Sequence, residues 1–89
     1  MSLSLEDMDI FDEYINTTKK RIAKTWENFS GDKEDLYYYI LGFAVGAYQL
    51  PFYEKHERTM DGKEIKELGD LVISRASEIQ NIINNLPNH

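Results

Sequence analysis

The feature that most constrains this chain is "LYYYILGFAVGAYQLPFY", residues 36–53. It is eighteen residues without a charge, set between Asp35 and Glu54 in a chain of which 29% is charged. Such a stretch is a membrane span, a buried helix or a surface for a partner. A membrane helix needs about 20 predominantly apolar residues. Here the helical part is shorter, because Pro51 is expected to push Leu50 out of the helical region. It also carries four tyrosines before Pro51, a glutamine and two glycines, and its flanks are acidic rather than basic. A membrane span is therefore not expected, and the stretch reads as a soluble helix.

Helical periodicity continues on both sides. Ser4, with Asp7 three residues on, opens a first helix over 5–29. Its stripe is Met8, Phe11, Ile15, Ile22 and Phe29, with Thr18 and Thr25 in the same line and Trp26 and Ala23 widening it. Its acids come early, from Glu6 to Glu13, and its bases late, Lys19, Lys20, Arg21 and Lys24. The helix macrodipole explains that order without an anion site. Ser30-Gly31 is a stop signal. Asp32 and Asp35 open a second helix over 33–50, and 52–60 has room for one extra helical turn. Asp61 and Glu64 open a third over 62–85, striped by Ile65, Leu68, Val72, Ala76, Ile79, Ile83 and Leu86. No stretch alternates with period two. The expected fold is all-α: an antiparallel three-helix bundle in one domain spanning 1–89.

The second helix is apolar all round. Leu36, Ile40, Phe43, Ala47 and Leu50 are expected to form its core face, with Tyr37, Leu41, Ala44 and Tyr48 beside it. The opposite side holds Tyr38, Tyr39, Gly42, Val45, Gly46 and Gln49, with no charge. A helix apolar on every side is normally covered on every side. Each interior glycine costs about 1 kcal/mol relative to alanine, so Gly42 and Gly46 point to another backbone coming close. That backbone belongs either to the first or third helix of the same chain or to a second copy. These six residues are the candidate interface, and a homodimer is the expected state.

The composition limits the chemistry. There is no cysteine, hence no disulfide or thiolate metal site, and the two histidines are too few for a zinc cage. The net charge of -6 is spread so that no third of the chain is basic. This argues against binding nucleic acid or anionic lipid. No phosphate loop, nucleophile elbow, Rossmann pattern or EF-hand loop occurs. "HERTMD" starts like a zincin motif and lacks its second histidine. A serine triad would have only His56 or the terminal His89 to use. The acidic start "MSLSLEDMD" lacks the features of a secretory signal, so a cytoplasmic location is the default. Met1, Ser2 and Leu3 could be a cloning leader.

One acidic constellation stands out. Glu64, Glu67 and Asp70 recur at three-residue steps and project to nearly one side of a helix. Carboxylates so placed suit Mg²⁺. Lys63 and Lys66, four residues before Glu67 and Asp70, explain the same charges as a solvated face. "KEIKELGDLV" resembles the E-x-x-D segment of the MazG-type all-α nucleoside triphosphate pyrophosphohydrolases. That resemblance implies Mg²⁺ at Glu64, Glu67 and Asp70, with an upstream E-x-x-E supplied by Glu54 and Glu57 if the connection after Pro51 is helical. The main expectation from the residues is different. It is a small non-enzymatic, cofactor-free helical protein working through protein–protein contact, as a regulator, inhibitor or immunity-type factor.

Overall fold

A computed structural model describes residues 2–88, and all regular structure among them is helical. There are four helices rather than three: α1 Leu5–Glu27, α2 Lys33–His56, α3 Gly62–Ser74 and α4 Ala76–Asn84. They form three legs. Asp7 near the start of α1 meets Lys55 and His56 at the end of α2, so α1 and α2 are antiparallel. Arg75 reaches Asp12 and Lys19 reaches Glu78, so α3 followed by α4 runs parallel to α1. The long dimension is 42 Å.

Each start is fixed by local chemistry. Ser4 Oγ accepts from the Asp7 N–H. Asp32 with Asp35, and Asp61 with Glu64, close full capping boxes. Gly31 is required at the turn before α2, since a Cβ there would sit 2.7 Å from the Asp35 carboxylate that closes the box.

Three expectations on helix extent need correction. α1 stops at Glu27, two residues early, capped at Asn28. α2 does not end before Pro51 but continues through it to His56, so the extra turn expected in 52–60 is its continuation. A proline inside a helix removes one hydrogen bond and costs about 3 kcal/mol. Phe52, fully buried just beyond it, and the Asp7 contacts of Lys55 and His56 hold the last turn in place. The third leg breaks at Arg75 with no glycine or proline to mark it. The Ser74 hydroxyl donates to the Leu71 carbonyl, the acceptor that the Arg75 N–H would use in an unbroken helix. The Arg75 N–H turns instead to Val72, 3.1 Å away. At the break the Arg75 guanidinium spans to Asp12, Asn16 and Glu78.

The core has two clusters. One joins Phe11, Ile15, Ala44, Tyr48, Phe52, Leu68 and Val72, and takes in Leu3. The other joins Ile22, Trp26, Leu36, Ile40, Ile79 and Ile83. The buried face of α2 is thus Leu36, Ile40, Ala44, Tyr48 and Phe52, not the expected Leu36, Ile40, Phe43, Ala47 and Leu50. Strict four-residue steps advance about 40° each on a helix of 3.6 residues per turn. The stripe winds because α2 packs on α4 at one end and on α3 at the other. Ile65 likewise leaves the expected third stripe and is exposed, while Glu64 is buried. Among the described residues no helix is long and apolar enough to cross a membrane.

Candidate functional site

Two places combine unusual side chains with definite geometry. The first is a polar knot where α1 begins and α2 ends. Asp7 is buried, yet its carboxylate accepts from the Tyr48 hydroxyl at 3.1 Å, Lys55 Nζ at 3.2 Å and Ser4 Oγ at 2.9 Å. His56 Nε2 lies 3.1 Å from both carboxylate oxygens. An ionised carboxylate only accepts, so the His56 proton on that nitrogen points at Asp7. Burial alone would raise the Asp7 pKa. The bonds from His56, Ser4, Lys55 and Tyr48 outweigh it and hold Asp7 well below the usual carboxylate range. Burial, and then the Asp7 charge, push the Tyr48 hydroxyl well above its ordinary value. Every polar group here has a partner within the chain, so the knot reads as a clamp. His56, the histidine weighed for a triad, is part of it. His89 lies outside the described residues.

The second place is the outer face of the α1–α2 layer. The structure leaves the uncharged side of α2 open. Tyr38 is 63% exposed, Tyr39 49%, Phe43 42%, Leu50 62% and Tyr53 51%. A Cβ added at Gly42 or Gly46 would meet nothing within 4 Å. Neither the first nor the third leg covers these glycines, which removes the intrachain explanation for them. Of the six candidate interface residues, Tyr38, Tyr39, Gly42 and Gly46 are exposed, Gln49 is half-buried, and half-buried Val45 packs against the core. Phe43, Leu50 and Tyr53 belong to the open face and were not expected there. No signal within α2 places them, because Tyr48 takes the core position through a buried acceptor on α1, Asp7. Between α1 and α2 runs a shallow groove of about 270 Å³, lined by Tyr14, Thr17, Thr18, Phe43 and Ala47 with Glu13 and Arg21 on its rim. A second hollow of about 180 Å³ continues it past Arg21 to Tyr39 and Thr25.

The acidic constellation on α3 has other partners. Glu64 is buried and takes two bonds from Arg58, at 2.7 and 2.8 Å, besides closing the capping box. The Arg58 bonds hold its carboxyl below the usual range although burial opposes them. Glu67 accepts the Leu3 N–H at 3.0 Å, and exposed Asp70 pairs with Lys66. The connection after Pro51 is helical at Glu54, while Glu57 caps α2 in the left-handed conformation. Among the described residues, no three histidine, aspartate or glutamate side chains gather as a metal site.

Compared with known proteins, the chain has no match to a family model, a curated protein or a solved structure. Its own geometry carries the functional reading.

Proposed function

We propose that this protein works by protein–protein contact through the outer face of the α1–α2 layer, and that its first partner is a second copy of itself. The observation that supports this is the open aromatic side of α2. Five large apolar side chains, each roughly half exposed, face solvent around two glycines with free space above them. Aromatic side chains bury about 150–250 Å² each. Half of that over the four aromatic side chains, with Leu50 added, is roughly 500 Å² per copy, so two copies reach about 1,000 Å², the lower limit for a specific interface. Tyrosine is enriched in such surfaces because it joins an apolar body to a polar tip.

Gly46→Glu tests the reading. The added side chain enters open space within the chain, so folding is expected to survive, with only a helical secondary-structure signal to check. A charge at the centre of an uncharged contact is expected to abolish association on a sizing column. Unchanged association would remove this face from consideration.

A further inference from the structure

The same face carries a self-complementary charge pattern, and it lies at the height where a two-fold axis would have to pass. Glu13 and Arg21 are both exposed on α1, on either side of Thr17. Neither forms an ion pair within the chain among the described residues. They are eight residues apart, about 12 Å along a helix, which is too far to pair with one another. On α2, Gly42 and Gly46 are equidistant from Ala44. The Tyr14 and Tyr48 rings meet edge-on at 5.4 Å, which fixes the register of the two antiparallel helices. One turn further along α1 is Thr18, and one turn back along α2 is Ala44. The centre of the α2 face is therefore level with Thr18 and within about one helical turn of the Glu13–Arg21 midpoint.

We infer that two copies pack face to face about a two-fold axis crossing the bundle at Thr17 and Ala44, with α1 against α1 and α2 against α2, both antiparallel. This rests on reading the face as an interface between copies. The operation places Glu13 of one copy opposite Arg21 of the other, twice. It lets the backbones come close at Gly42 and Gly46, where a Cβ would meet nothing within 4 Å. At the axis itself the small Thr17 leaves α1 free to approach its counterpart. An isologous contact requires this kind of self-complementarity. A parallel packing of α1 on α1 would instead set Glu13 on Glu13 and Arg21 on Arg21.

The test is a charge swap followed by sedimentation equilibrium. Glu13→Arg and Arg21→Glu each put like charges together at two symmetric places and are expected to raise the dimer Kd by roughly tenfold or more. The double variant restores the pairing and is expected to return to within a few-fold of the parent. Thr17→Cys gives an independent check, since the chain has no other cysteine. Mild oxidation should link two copies through Thr17→Cys but not through Ala23→Cys, an exposed position elsewhere on α1. A parent dimer whose Kd ignores both single changes and whose Thr17→Cys form does not cross-link overturns this geometry and leaves the interface reading standing. A monomeric parent overturns both.

Discussion

Asp7→Ala is the most informative single change to the fold. The substitution takes the acceptor away from the Tyr48 hydroxyl, His56 Nε2 and Lys55 Nζ together. Their costs differ because their access to water differs. Lys55 keeps Glu6 at 3.0 Å and is a third exposed, so it rehydrates with little loss. His56 is partly exposed and rehydrates in part. Tyr48 is wholly buried, and its hydroxyl is left without a partner, at about 1–3 kcal/mol. Adding the smaller losses gives roughly 2–4 kcal/mol. A chain of this length is stabilised by only about 4–13 kcal/mol in total. At about 4–8 °C per kcal/mol for this size, the Tm is expected to fall by at least about 8 °C. Thermal unfolding followed by circular dichroism reads this directly. Tyr48→Phe supplies the control, because it removes the orphaned hydroxyl. It is expected to destabilise the parent and to be neutral or favourable in the Asp7→Ala background. A loss below about 1 kcal/mol for Asp7→Ala, or an equal Tyr48→Phe cost in both backgrounds, refutes the clamp.

Two further outcomes follow from the same structure. Asp7, Asp61, Glu64 and Glu78 all have lowered pKa values in the folded chain, Glu78 down to about 2 under the Arg75 and Lys19 bonds. Groups depressed on folding stabilise above their unfolded pKa and lose that contribution as pH falls through the folded value, so urea midpoints should hold above about pH 5 and drop steadily below about pH 4. Asp7→Asn should flatten that drop, and an unchanged acid profile would count against Asp7 as its main source. Pro51→Ala gives the Ala47 carbonyl its helical donor back, and a gain of roughly 1–2 kcal/mol is expected after the entropy returned to the unfolded chain; no gain would mean that α2 already compensates at the proline.

Helix starts were the most legible part of the sequence, because capping is local chemistry. Asp32 and Asp61 close full capping boxes, and Ser4 caps α1 by accepting the Asp7 N–H while the Asp7 carboxylate serves the knot. Ends and faces were less legible, because distant partners decide them. Pro51 stops an isolated helix, but Phe52 has a core to enter and Lys55 and His56 have Asp7 to hold. The choice of Tyr48 over Phe43 for the interior cannot be made from hydropathy. It depends on an acceptor, Asp7, forty-one residues earlier in the chain. The break at Arg75 turns on one serine hydroxyl and keeps the apolar stripe in phase, so periodicity passes over it. The candidate face was legible in its outline, as a side of α2 with no charge. Its extension onto α1 was not, since Glu13 and Arg21 look like any solvated pair until the register of the two helices is known.

The central claim is that the open α1–α2 face meets a second copy of the chain. Light scattering on a sizing column, run at high and low loading, tests it most directly. The account predicts a molar mass twice the 10.4 kDa of the single chain, falling toward it on dilution. A mass of 10.4 kDa at every loading would contradict it.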